Sequence, residues 1–123
     1  IITQIEAELQ QIYTPLELSQ MTVLDVGCYD GWITDELQRR LGFKEAIGVE
    51  PRKKNIDKGV IARETLGIET ECKFIQGSLY QLEETLQGRK FDVVVIGGKR
   101  KEICRVCYEK LIERNKDVWY KER

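Results

Sequence analysis

The sequence predicts an α/β protein built on a doubly wound parallel sheet with helices on both faces. Three observations point there. Runs rich in β-branched residues, VLDV from Val23, AIGV from Ala46 and VVVI from Val93, are short and apolar enough to be strands covered on both faces. Segments with apolar residues at three- and four-residue spacing alternate with those runs, the order that closes as right-handed crossovers over a parallel sheet. Glycines stand at the joints, with Gly27 and Gly31 after the first run, Gly42 and Gly67 after the two central helices and Gly77 after the third strand.

The elements follow in order. Ile2, Ile5, Leu9 and Ile12 draw one narrow apolar stripe along a helix over residues 1–13, and Pro15 ends it. Thr22 to Val26 is the first strand. Trp32, Ile33, Leu37 and Leu41 mark the next helix, with Gly42 where a left-handed cap belongs. A second strand over about 45–49 ends in Glu50 and Pro51, and the helix after it runs to Leu66, stopped by Gly67 and weakened internally by Gly59. Lys73 to Gln76 reads as the third strand, Leu79 to Leu86 as a short helix, and FDVVVI, residues 91–96, as the fourth strand. Beyond Gly97 and Gly98, residues 101–114 form a candidate helix carrying Cys104, Cys107, Tyr108 and Leu111 on one side. KDVWYKE after it is either an edge strand or a tail. Residues 1–20 are assigned to an N-terminal helix and linker, and 21–123 to a single sheet domain.

With 123 residues the chain has material for one core. Twenty basic against twenty-one acidic side chains give a net charge of −1, which argues against a disordered tail or a polyanion-coating protein. Basic clusters at Arg39-Arg40, Arg52-Lys53-Lys54 and Lys99-Arg100-Lys101 read first as solvated helix faces and second as phosphate contacts. No apolar run approaches the ~20 residues of a membrane helix, so the expectation is a soluble cytoplasmic protein. Cysteines at 28, 72, 104 and 107 fit a reducing compartment, because two of them lie in or beside expected core strands. The pair Cys104-x-x-Cys107 has neither a second pair nor a histidine to complete a zinc site, and reads as two small apolar side chains on one helical face; no metal is expected.

The chemistry concentrates where the first strand meets its helix. In open parallel sheets a ligand sits beyond the carboxyl ends of the strands, where the first crossover reverses direction. Gly27 at that end permits positive φ and close approach to the main chain. Gly31 opens a helix whose first N–H groups and dipole favour a carboxylate or phosphate. A dinucleotide fingerprint requires G-x-G-x-x-G, whereas this turn has only Gly27-x-x-x-Gly31, with Tyr29 where the middle glycine would stand. Asp25 would repel a pyrophosphate and suits a cationic ligand. Glu50 follows at about the spacing of a ribose-binding acid. Blander readings exist for each: Asp25 as a cap of the following turn, Glu50 as an exposed strand-end charge, Gly77 as a simple turn.

VLDVGCYDGW, residues 23–32, resembles the first motif of the class I S-adenosylmethionine-dependent methyltransferases. AIGVEPR resembles the second strand of that family, KFIQGSL the third-strand motif and FDVVVIGG the fourth strand, so the resemblance runs over about residues 22–98. It implies a Rossmann-like fold and S-adenosyl-L-methionine as cofactor. It also implies a binding site made of Asp25, Gly27, Cys28, Tyr29, Asp30, Gly31, Glu50, Pro51, Gly77, Ser78, Leu79 and Gly97. Glu50 takes the place of the acid that binds both ribose hydroxyls. Tyr29 departs from the central glycine of the family motif, and Ser78 stands where an aspartate near the adenine amine is common.

The family's sheet has seven strands, against four here and a candidate fifth. The chain also begins with Ile1 rather than Met. Both features imply a sheet truncated after the fourth or fifth strand, in a fragment or in a reduced member whose open edge a protein partner or second copy covers. The acceptor implied is a small molecule or RNA. No general base is identified: the chain has no histidine, and Lys99 and Glu102 are only the nearest candidates. Two other functions remain open, a non-catalytic subunit that binds a protein partner and, ranked last, an NAD-dependent oxidoreductase with Glu50 on the ribose.

Overall fold

In the computed structural model the described residues are 2–96, 109, 113 and 119–122. Strands β1 (Thr22–Val26), β2 (Glu45–Glu50), β3 (Lys73–Gln76), β4 (Val93–Ile96) and β5 (Trp119–Glu122) form one sheet in the order β3-β2-β1-β4-β5. Every neighbouring pair is parallel. Asp25 stands opposite Gly48 on one side and Val95 on the other. KDVWYKE contributes the fifth strand, with Val93 opposite Trp119 and Ile96 opposite Glu122. The chain order reverses between β1 and β4, so the loop leaving β1 stands at the switch point.

Two-residue alternation splits the apolar strand residues between two cores. Leu24, Val26, Ile47, Val49, Val94 and Ile96 face one side, where Leu79, Leu82, Leu86 and Phe91 cover them. Val23, Ala46, Val93 and Val95 face the other and pack with Leu37, Leu41 and Phe43. Helix α1 (Ile2–Ile12) adds Ile5 and Leu9 to that second core, both fully buried.

Pro15 does more than end α1. Thr14 and Glu17 form a reciprocal capping box around it, and Pro15 opens a one-turn helix α2 (Pro15–Leu18) whose Leu18 is buried. Helix α3 (Trp32–Leu41) has Gly31 and Gly42 as its caps, both left-handed. The helix expected over Leu79–Leu86 is a 3-10 turn (Leu79–Gln81) followed by α5 (Leu82–Leu86). β4 starts at Val93 rather than at residue 91, and just before it the Asp92 side chain accepts from the Thr22 amide (2.9 Å) and hydroxyl (3.2 Å).

Helix α4 (Lys53–Leu66) is the exception to apolar docking. Its only buried residues are Asn55 and Gly59, while Val60, Ile61 and Leu66 are exposed. A polar stripe at i, i+4 and i+8, namely Asn55, Gly59 and Arg63, faces the rest of the protein. Of the helix expected over 101–114, only Glu109 and Glu113 are described, and both are helical and exposed. Gly97, Lys99, Glu102, Cys104 and Cys107 lie outside the described residues.

Candidate functional site

The loop after β1 is built on the tip of β2. Gly27 turns the chain at φ 73°, and the Gly27 and Cys28 amides both donate to the Val49 carbonyl, at 2.8 and 3.0 Å. Tyr29 is also left-handed, at φ 57°, a conformation that costs a residue with a Cβ roughly 1–2 kcal/mol. Its amide donates to Glu50 Oε1 at 3.0 Å, which fixes the strained residue in place. Asp30 Oδ1 accepts from the Trp32 amide at 3.0 Å, and the Gly31 amide donates to the Cys28 carbonyl at 2.9 Å. Asp30, not Asp25, therefore caps the turn.

Asp25 answers to a different group. It is fully buried on the α3 side of the sheet, and its Oδ2 accepts from the Thr34 hydroxyl at 2.7 Å. Gly48, opposite it on β2, leaves the room this requires: a Cβ there would lie 2.8 Å from Cys28 Sγ and 3.0 Å from Thr34 Oγ1. The acid inside the apolar run thus anchors the first turn of α3.

Glu50 is 3% exposed, which excludes its reading as a solvated strand-end charge. Oε1 accepts from Tyr29, while Oε2 accepts from the Arg52 amide at 3.0 Å and from Asn55 Nδ2 at 3.1 Å. A carboxylate offers about four acceptor positions, so three N–H donors leave one for a hydroxyl. Beside it, at the ends of β2 and β3, lies a cleft of about 350 Å3 lined by Pro51, Arg52, Ser78, Leu79 and Tyr80. Leu79 is buried and Tyr80 exposed. The Ser78 hydroxyl oxygen accepts from the Tyr80 amide at 3.1 Å and caps the 3-10 turn.

Two glycines of the predicted site are explained by neighbouring side chains. A Cβ on Gly77 would lie 2.9 Å from Thr85 Cγ2, so α5 requires that glycine, and its amide is used by the Glu50 carbonyl at 3.2 Å. Gly31, at φ 85°, would drive a Cβ into Arg63 Nη2 and into the Phe74 ring, 2.5 Å from Cε1. Gly59, expected as a weak spot in helix propensity, is also a contact point, since a Cβ there would strike the Asp30 carbonyl oxygen.

The structure brings Asp25, Gly27, Cys28, Tyr29, Asp30, Gly31, Glu50, Pro51, Gly77, Ser78 and Leu79 to the carboxyl end of the sheet. Sequence reasoning missed Thr34, Asp35, Asn55, Arg63, Thr70 and Phe74. Arg63 Nε donates to Asp35 Oδ2 at 2.7 Å, Asp35 Oδ1 accepts from the Thr70 hydroxyl, and the guanidinium lies 4.3 Å from the Phe74 ring centre. Cys72 closes this cluster. Burial, above all, pushes its thiol up to about 12, with the Asp35 charge adding to the rise and the Thr70 hydrogen bond opposing it. The sequence signals that could have marked this face are Gly31 and Gly59, the second four residues before Arg63 on α4.

A parallel sheet with a glycine turn at its switch point and an acid at the tip of the adjacent strand defines an open α/β protein that holds its ligand at the carboxyl edge. The family model described as a methyltransferase domain matches residues 17–116, and the chain belongs to that family. The resemblance read from residues 23–32 is borne out at that level. No curated protein matches the chain.

Solved structures share the fold. A putative protein-L-isoaspartate O-methyltransferase from Plasmodium falciparum, in complex with S-adenosyl-L-homocysteine, aligns with TM-score 0.62 at 22% identity, over 90% of this chain and 54% of that one. A SAM-dependent methyltransferase from Thiobacillus denitrificans, also with S-adenosyl-L-homocysteine, aligns with TM-score 0.62 at 20% identity, over 93% and 42%. PKMT2 from Rickettsia typhi, in complex with AdoHcy, aligns with TM-score 0.59 at 22% identity, over 83% and 19%. The chain therefore spans between 19% and 54% of the length of these structures.

Proposed function

We propose that this domain binds S-adenosyl-L-methionine at the carboxyl edge of the sheet and serves a methyltransferase acting on a small-molecule or RNA acceptor. The observation that carries the reading is Glu50, a nearly buried carboxylate with one acceptor position left, next to the cleft at the ends of β2 and β3. The family assignment supports it.

The residues present fit the cofactor. Glu50 would take a ribose hydroxyl, and Pro51, Arg52, Ser78, Leu79 and Tyr80 would enclose the base. The loop Gly27–Gly31 would border the amino-acid end, with the first turn of α3 favouring its carboxylate. When bound, the sulfonium supplies an electrophilic methyl group. The chain's part is to orient it, since displacement at such a carbon gains mainly from positioning. Asp25 does this indirectly, by seating Thr34 and with it the start of α3.

No helix among the described residues is long and apolar enough to cross a membrane. We place the protein in the cytoplasm, the compartment its cysteine usage suggests. Among the described strands β5 pairs only with β4, and its outer edge is where a protein partner or second copy would add.

The test is thermal denaturation with S-adenosylhomocysteine. A ligand at 100 times its Kd adds about 2.7 kcal/mol of stability by mass action, a rise of several degrees. An unchanged melting temperature at millimolar ligand overturns the reading.

A further inference from the structure

We propose that Arg63 is a positioning residue for the cofactor loop, acting from α4 by clamping the Asp30–Gly31 peptide. The proposal rests on the cofactor reading above and goes beyond it, to a residue outside every motif of the loop itself.

Both ends of that one peptide are held. Arg63 Nη2 donates to the Asp30 carbonyl at 3.0 Å, and the Gly31 amide donates to the Cys28 carbonyl at 2.9 Å. The guanidinium cannot swing away. Asp35 Oδ2 binds its Nε at 2.7 Å, the Phe74 ring lies 4.3 Å beneath it, and its side chain is only 12% exposed. Two glycines make room for this arrangement: a side chain on Gly31 would displace Arg63, and one on Gly59 would displace the Asp30 carbonyl.

The rest of the loop is tied to β2 through the amides of Gly27, Cys28 and Tyr29. From the α4 side Arg63 holds it by a hydrogen bond to Asp30, and the Lys58 ammonium lies 5.7 Å from the Tyr29 ring centre. Once the carbonyl is released, the Gly31 amide bond to Cys28 still opposes a flip of this peptide, but the barrier is lowered, because glycine accepts either sign of φ. The stability of the fold is a separate matter. A buried ion pair replaced on both sides by apolar residues of similar volume is often neutral or stabilising, whereas removing one partner is costly. The double variant Arg63→Met with Asp35→Leu therefore keeps the packing and loses the clamp.

Isothermal titration of the parent, the double variant and Arg63→Lys tests this with two ligands, S-adenosylhomocysteine and 5′-methylthioadenosine. The second lacks the amino-acid end that the loop would border and keeps the adenosine that Glu50 and the cleft would hold. In the double variant, S-adenosylhomocysteine weakens about tenfold, close to the worth of one hydrogen bond, while 5′-methylthioadenosine stays within about twofold. Arg63→Lys keeps a charge for Asp35 but lacks the fork that also reaches Asp30, so it shifts the same ratio in the same direction and stands in if the double variant does not fold. Parent-like affinity for S-adenosylhomocysteine in the variants overturns the clamp alone, as does an equal loss for both ligands. A parent that binds neither ligand overturns the cofactor reading and the clamp together.

Discussion

The Tyr29 amide donates to Glu50 Oε1 at 3.0 Å, so the carboxylate at the tip of β2 also fixes the strained residue of the loop leaving β1. Ligand contact and loop geometry therefore depend on one side chain. In Glu50→Gln a single amide oxygen must replace two acceptors, and the new NH2 group faces donors from Arg52 or Tyr29. S-adenosylhomocysteine affinity is expected to fall at least about tenfold, and the ligand-free protein to lose about 1–3 kcal/mol. Calorimetric titration and urea denaturation read the two effects separately.

Gly59→Ala tests the contact between α4 and the loop through the sign of its effect. Within a helix, alanine in place of glycine ordinarily gains up to about 1 kcal/mol. Here the added methyl meets the Asp30 carbonyl oxygen and crowds Arg63 Nη1 at 3.1 Å. The substitution is expected to lower the melting temperature and weaken S-adenosylhomocysteine. A stabilised variant would mean that α4 can move away from the loop without cost.

The elements were legible in the sequence because strand alternation and helix periodicity are local patterns. Thr22–Val26, Trp32–Leu41 and Lys73–Gln76 occur where their residues place them. Asp25 and Glu50 were legible as important, but not in their geometry. The partner of Asp25 is a helix hydroxyl nine residues on, and the donors to Glu50 come from both sides of it in the chain. The Arg63 cluster was less accessible still. Asp35 lies 28 residues from Arg63 and 35 from Thr70, and the parallel pairing of β1, β2 and β3, with α3 and α4 as the crossovers between them, brings them together. Gly31 and Gly59 mark that cluster in the sequence, yet a glycine looks the same whether a ligand or an arginine needs the space.

Thr34→Val should show what the buried acid does. The substitution keeps the shape and removes the hydroxyl that donates to Asp25 Oδ2 at 2.7 Å. Removing one partner of a buried hydrogen bond costs about 1–3 kcal/mol, and a loss in that range is expected in denaturant titration. The effect on S-adenosylhomocysteine affinity should be smaller than that of Glu50→Gln, because Asp25 acts through the seat of α3.

Cys72 provides a pH-dependent check on the same region. Its Sγ donates to the Thr34 carbonyl at 3.6 Å, and burial raises the thiol from 9.0 to about 12 in the folded protein. In the unfolded chain the thiol ionises near 9.0, while in the native protein it stays protonated. Proton binding is then greater in the native state through that interval, so stability must fall as pH rises. The contribution is complete below about pH 9 and disappears progressively towards pH 12. Any other group that ionises in alkali is shared with Cys72→Ala and cancels in the comparison. The urea midpoint of the parent should therefore drop relative to that of Cys72→Ala between pH 8 and about 10.5, and the native thiol should resist alkylation at pH 8. Parallel midpoints across that range would place Cys72 in water rather than against Thr34 and Asp35.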